Sequence, residues 1–297
     1  MRSRLLLWLF LSSITTVLAA SPQSSPCGGK LTASQIVSGY LVSLYESQEE
    51  GFSSCYEVRR DGRVVFSREE DALLGFGNEI AGADSSHRSV SIPIGADITG
   101  LGKPNVLVHS WSGGAHCCFT FHVLELGDPV REVAAVDASE SDYAHFEDID
   151  HDGRYEFVGW DFTFAYWHEC YLDSPAPVIV LTFDGGSYRL ALKLMHKTPP
   201  STARLHKLAR TIRSANWREN FPPTNLWKNL LDLIYSGNAT AADVLLHDAW
   251  KPGALPEKAF RQQFCDQLST SPYATDLALI MKNFSCTFSV KQGALNP

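Results

Sequence analysis

At Thr198-Pro199-Pro200 the hydrophobic pattern of the chain changes period, and no other feature constrains the fold as much. Upstream, from Cys55 to about Met195, apolar residues run in short stretches broken by Gly, Asp and Pro, as strands do. Val106 to Val108, Cys118 to Leu124, Val133 to Val136, Phe157 to Phe164 and Val178 to Phe183 are the strand candidates. Tyr56 to Arg60 and Arg63 to Phe66 flank Asp61-Gly62, the signature of a hairpin with a primed turn. Asp184-Gly185-Gly186 turns the last candidate into Tyr188 to Leu194. Downstream, Leu205, Leu208 and Ile212 recur at helical spacing, as do Leu226, Trp227, Leu230, Leu231 and Ile234 before the stop at Gly237. Ala242 to Trp250, Pro256 to Leu268 and Thr275 to Phe284 also read as helices. Ahead of the strands, Thr32 to Gln35 has capping-box form, and Ile36, Val37, Tyr40, Leu41 and Leu44 predict a short helix to about Gln48. The expected class is α+β: a β-rich domain over 31–197 that includes this N-terminal helix, then an α-helical C-terminal domain over 201–297.

The N-terminus bears on where the chain works. Arg2 and Arg4 precede an apolar run, Leu5 to Leu11 and Ile14 to Ala20, and Val17-Leu18-Ala19 places small residues for cleavage after Ala19 or Ala20. Residues 1–20 read as a secretory signal peptide, followed by a flexible lead over 21–30 rich in Ser, Pro and Gly. Ser12, Ser13, Thr15 and Thr16 interrupt the run and argue against an uncleaved anchor; no later stretch is long enough to span a bilayer. The expected location is secreted or periplasmic, where disulfides are the default state of cysteine. The seven cysteines are Cys27, Cys55, Cys117, Cys118, Cys170, Cys265 and Cys286. Cys265 and Cys286 flank one helical segment and are expected to pair; Cys27 can reach Cys55, and Cys170 can reach Cys117 or Cys118. The odd count leaves a vicinal Cys117–Cys118 bond or a free thiol open.

The sharpest motif is Asp148-Ile149-Asp150-His151-Asp152-Gly153-Arg154-Tyr155-Glu156. Calcium takes six to eight hard oxygen ligands. Carboxylates at the first, third and fifth positions converge when the chain turns sharply, which Gly153 permits. Expected metal ligands are Asp148, Asp150, Asp152, the Arg154 carbonyl and Glu156. An EF-hand is excluded, because its twelfth position needs a bidentate Glu and here holds Gly159. An Asp- and Gly-rich turn without metal would leave four acidic groups repelling one another. The segment Asp97 to Val108 has the same frame 51 residues earlier, but with Thr99, Leu101 and Asn105 where the later copy has acids. It reads as a structural turn.

The pattern Asp-x-Asp-x-Asp-Gly-x-x-Glu running into an apolar strand resembles the FG-GAP/VCBS-type repeat found in the β-propeller of integrin alpha chains and in many exported bacterial proteins. The resemblance covers 97–108 and 148–160. It implies a calcium loop within the β-hairpin of a propeller-like blade, with Asp148, Asp150, Asp152, the Arg154 carbonyl and Glu156 holding the ion. A closed propeller needs at least four blades. With about two repeats, a partial propeller-like or antiparallel sheet domain is the expectation.

Other constellations carry weaker signals. His116 with Cys117 or Cys118 would suit a nucleophile, but neighbours on a strand point to opposite faces. His109, His116 and His122 match no zinc spacing. Asp161 to Glu169 is aromatic enough to stack a sugar or peptide, a role that core packing takes more often. Glu140 with Asp142 lacks evidence of the separation a glycosidase needs. Asn238-Ala239-Thr240 and Asn283-Phe284-Ser285 are glycosylation sequons. A net charge of −8 argues against nucleic acid. The sequence thus predicts a non-enzymatic, exported, calcium-binding protein with a protein or carbohydrate ligand; the alternative is a secreted hydrolase with its site between the β and helical regions.

Overall fold

The structure, a computed structural model, describes residues 25–47, 53–78, 91–114, 117–141 and 143–286. The expected signal peptide and His116 lie outside them. Among the described residues, twelve strands form three antiparallel four-stranded sheets, each built from four consecutive strands in sequence order. The first holds β1 (Lys30–Val37), β2 (Tyr40–Glu46), β3 (Ser53–Arg60) and β4 (Arg63–Asp71). The second holds β5 (Leu73–Phe76), β6 (Asn105–Gly114), β7 (Cys117–Glu125) and β8 (Arg131–Ser139). The third holds β9 (His145–Glu147), β10 (Glu156–Trp160), β11 (Val178–Asp184) and β12 (Ser187–Leu190). Six helices follow: α1 (Leu192–Met195), α2 (Thr202–Ser214), α3 (Thr224–Tyr235), α4 (Ala239–Ala249), α5 (Glu257–Leu268) and α6 (Ala274–Ile280). The chain is α+β and β-rich, with its helices in the C-terminal part, and none of them is long and apolar enough to cross a membrane.

The expected N-terminal helix is a hairpin. Ser38 and Gly39 both take positive φ, 50° and 83°, which makes the primed turn that right-twisted strands need. Tyr40, Val42 and Leu44 are buried at a period of two and face the core, while the Leu44↔Tyr56 register ties β2 to β3. Local helical spacing lost to this long-range pairing. The lead is also anchored from Ser25 onward: Cys27 is bonded to Cys55 on β3, and Ser25 donates to Glu57 at 2.7 Å. The Cys265–Cys286 bond forms as expected. Cys118 is disulfide-bonded as well, whereas Cys170 is free and exposed, so no bridge joins Cys170 to Cys117 or Cys118.

Two apolar layers hold the sheets together. Val42, Leu44, Tyr56 and Val58 of the first sheet meet Val106, Val108 and Leu124 of the second. The other face of the second sheet presents Phe121 to Phe146 and Phe157 of the third, all edge-on with ring centroids 5.4–5.8 Å apart. That second layer continues through Ile179 and Leu181 into Leu205, Ile212, Leu230, Ile234 and Phe260, so one core crosses the Pro199-Pro200 break. The aromatic stretch after β10 serves the same core. Phe164 is fully buried, and Trp167 packs among Phe164, Trp227 and Phe264.

Asp161, buried at the end of β10, joins sheet to helices. Its carboxylate accepts from Tyr235 of α3 at 2.5 Å, from Ser271 before α6 at 2.6 Å, and from the Thr163 amide at 2.8 Å. At the α3–α4 corner the buried Asn238 side chain donates to the carbonyls of Lys197 and Ser236. Phe157→Ala removes the ring shared by sheets two and three and is expected to destabilise by about 3–5 kcal/mol, whereas Ile36→Ala, at a site 73% exposed, costs less than about 0.5 kcal/mol; urea unfolding of both variants checks the contrast.

Candidate metal site

The Asp148–Glu156 loop connects β9 to β10, the first two strands of the third sheet. The Asp97–Asn105 loop leads into β6 at the same position of the second sheet. Their backbones match. His151 and Gly153 take φ of 59° and 90°; Gly100 and Gly102, at the same fourth and sixth positions, take 74° and 77°. The leading aspartate of each loop accepts from the amides four and five residues on. For Asp148 these are Asp152 at 3.0 Å and Gly153 at 3.1 Å; for Asp97 they are Leu101 at 3.1 Å and Gly102 at 2.6 Å. The loops also touch: the Tyr155 amide donates to the Ile98 carbonyl at 3.0 Å.

The side chains then diverge. In the later loop Asp148, Asp150 and Glu156 bring ligand oxygens within 4.8 Å of one another. Oxygens sharing one calcium ion through bonds of about 2.3–2.6 Å stand up to about 5 Å apart, so the spacing fits. Glu156 is 1% exposed and its carboxylate accepts from the Ile149 amide at 3.1 Å. Burial pushes its pKa up, and the negative charges of Asp150 and Asp152 push it further. A hard cation held by these oxygens would relieve both penalties at once. In the earlier loop Thr99 and Asn105 stand at the third and ninth positions and bond to each other, the Thr99 amide reaching Asn105 Oδ1 at 3.2 Å. That loop is closed by hydrogen bonds and carries one carboxylate.

Of the five expected ligands, the structure brings Asp148, Asp150 and Glu156 together. Asp152 instead holds Arg154, accepting from its amide and Nε at 2.9 Å each and forming an ion pair with its guanidinium, and Arg154 keeps the Asp152 carboxyl below its usual range. The Arg154 chain crosses onto the companion loop at Gly100, where an added Cβ would stand 2.2 Å from its Cδ. Tyr188 packs edge-on against Phe146, and burial followed by the charges of Glu156 and Asp97 raises its hydroxyl pKa. A second cluster, Glu169, Cys170 and Asp173, meets the same distance criterion on an exposed 3-10 turn, with Cys170 Sγ 3.3 Å from Asp173. Its only sequence signal is the one- and four-residue spacing.

His122 lies between the first two sheets beside Tyr56, whereas His109 stands on the opposite face of the second sheet, edge-on to Phe121. His109 places Nδ1 3.1 Å from the Gly77 carbonyl, its ring filling the space that Gly75 leaves by lacking a Cβ. His122 stands with Nε2 3.2 Å from Ser110 Oγ and Nδ1 3.3 Å from Glu132, the order of a nucleophile, base and acid. Glu132 is already engaged by both the Arg68 guanidinium and the Tyr56 hydroxyl, and Ser110 is 5% exposed within strand β6. The arrangement works as an interior polar network linking the two sheets. Burial opposes the Glu132 charge, but His122, Arg68 and Tyr56 outweigh it and hold its pKa below the ordinary range.

No protein-family model, curated protein or solved structure matches the chain.

Two outcomes are expected. Gly100→Ala forces a left-handed alanine against Arg154 and costs about 1–2 kcal/mol in urea melts. Burial lowers the His109 pKa below 6.5, with His122 adding to the effect and Gly77 opposing it. A base with a depressed folded pKa contributes stability above its unfolded pKa and loses it as pH falls through the folded one. Melting temperature therefore drops as pH falls below about 6.5, ahead of carboxylate titration, and the drop is shallower in His109→Asn.

Proposed function

We propose that this is an exported, calcium-stabilised binding protein of the FG-GAP/VCBS type, with a partial propeller of three blades capped by helices. The convergence of Asp148 and Asp150 on the buried Glu156 carries the calcium reading. Three consecutive meanders, two with the same aspartate-led loop entering the second strand, support the repeat reading. Two described disulfides, with Cys118 also bonded, are in keeping with an oxidising compartment. In this reading calcium neutralises Glu156 and its neighbours and fixes β9 to β10, while the companion loop reaches the same shape without metal. The helices cover the third sheet where a further blade would otherwise pack.

A second reading, a secreted hydrolase, has a specific place to work. A cleft of about 1060 Å³ between the second and third sheets and the start of α6 is lined by Asp137, Glu140, Trp160, Asp161 and Tyr273. Its most buried carboxylate, Asp161, is taken up by the Tyr235 and Ser271 hydroxyls and by both the amide and the hydroxyl of Thr163, which leaves no lone pair to spare for proton transfer. Binding is therefore the preferred role.

Thermal melts of the signal-free protein with calcium and with chelator, beside Asp150→Ala, test the proposal. At a hundredfold excess over Kd, binding to the folded state adds about 2.7 kcal/mol, so the melt shifts up with calcium and the shift vanishes in Asp150→Ala. Identical wild-type melts, with no heat of binding by calorimetry, would reduce the loop to a turn. Calcium-dependent turnover of ester, glycoside, peptide or phosphate substrates would favour the hydrolase.

A further inference from the structure

The chain carries a net charge of −8, yet residues 185–218 hold eight of its 25 Lys and Arg and none of its 33 Asp and Glu. This stretch includes α1, α2 and the proline turn between them. Arg189 is paired with Asp276, and Arg213 donates to the Asp248 carbonyl. Lys197, Arg204 and Lys207 have no ion-pair partner among the described residues, and all three line a groove of about 900 Å³. The groove floor is apolar, with Val178 and Val180 of β11 on one side and Leu208 of α2 and Leu233 of α3 on the other. The one acidic residue at its edge, Asp232, is paired with Lys228 at 3.3 Å.

One wall of the groove is an incomplete sheet edge. The Asp161 backbone amide donates to the Pro177 carbonyl, so alternate residues of β11, Val178 and Val180 among them, turn their backbone groups away from β10. Strand β12 pairs with 181–184, and the Ala191 amide takes the Val180 carbonyl. Beyond that point the chain leaves the sheet for α1, and Val178, half exposed, presents its backbone to the groove without a partner strand. The opposite wall is held in place: the Lys197 amide donates to the Ser236 carbonyl at 3.2 Å, and Asn238 donates to the Lys197 carbonyl at 3.0 Å. A groove already set in shape loses little freedom on binding.

We propose that this groove binds an extended, acidic segment of a partner protein, the apolar side chains of the segment on Val178, Val180, Leu208 and Leu233 and its carboxylates on Lys197, Arg204 and Lys207. An open strand edge favours an extended peptide, which adds backbone hydrogen bonds and places alternate side chains into pockets. Concave walls disfavour a flat lipid surface, and the apolar floor of Val178, Val180, Leu208 and Leu233 matches the apolar side chains of a peptide and offers nothing to polyphosphate. The inference rests on the binding role proposed above and uses none of the loop residues.

The test is fluorescence anisotropy on the signal-free protein with a labelled peptide of alternating leucine and glutamate, run both in calcium and in chelator. Saturable binding is expected, weakened at least tenfold by the double variant Arg204→Glu/Lys207→Glu and by raised salt, and unchanged by Lys251→Glu, which lies outside the groove lining. Far-UV circular dichroism and the calcium melt of the double variant report whether it is folded. Absence of binding, or equal binding by a folded double variant, overturns the proposal. So does tighter binding of phosphatidylglycerol vesicles or of single-stranded DNA, which would make the basic face a membrane or nucleic-acid surface. Peptide binding without a calcium-dependent melt sinks the calcium reading alone, and a calcium-dependent melt without peptide binding sinks the groove alone.

Discussion

A buried carboxylate at the end of a short strand organises the union of sheet and helix in this protein. Asp161 follows the last residue of β10, and removing its charge from water is tolerable only because hydroxyls and an amide replace the lost hydration. Those donors come from its own turn, from α3 and from the segment before α6, the last two lying 74 and 110 residues from Asp161 in sequence. Burial and the Asp161 charge both raise the pKa of Tyr235, keeping its hydroxyl protonated and able to donate. The helices are thus oriented on the third sheet by a directional contact, and the non-directional packing of Phe164, Trp227, Phe260 and Phe264 fills in around it. Such an anchor selects one docking of helices on sheet from the many that greasy surfaces alone would allow.

The twin loops show how one backbone solution is kept under two chemistries. A leading aspartate that accepts two amides, with left-handed residues at the fourth and sixth positions, is enough to make the turn. What occupies the inside is then free to differ: an amide–hydroxyl pair in one loop, three converging carboxylates in the other. Arg154 binds the two together, holding Asp152 with its guanidinium and lying with its methylenes on Gly100. A change in either loop is therefore felt in the other sheet.

Much of this was legible from local chemistry. Asp61-Gly62 announces its turn because few other dipeptides accept positive φ twice, and both residues do so here. The helices from Leu205 onward are legible because each buries one stripe at a period of 3.6. The N-terminal hairpin was not, because Ile36, Val37, Tyr40, Leu41 and Leu44 satisfy a helical stripe as well as two short strands; the Ser38-Gly39 turn and the distant partner Tyr56 decide between them. In the candidate site, the spacing of Asp148, Asp150 and Glu156 was readable from the loop frame. The engagement of Asp152 was not, since it depends on Arg154 two residues on and on Gly100, 54 positions before that arginine. The groove beside α2 could not be read from periodicity, which sees one element at a time, although its cations lie in plain view along the chain.

The corner at Asn238 has a consequence for biosynthesis. Its amide nitrogen is the atom an oligosaccharyltransferase would modify, and in the folded protein that nitrogen is turned inward onto the Lys197 and Ser236 carbonyls. In a secretory cell that reads the sequon, glycan transfer and closure of the α3–α4 corner compete for the same atom. A sugar on that nitrogen would take the place of both carbonyl bonds at the corner. Asn283, exposed beside Thr240, runs no such race, so a eukaryotic host would yield two populations distinguished by the timing of folding.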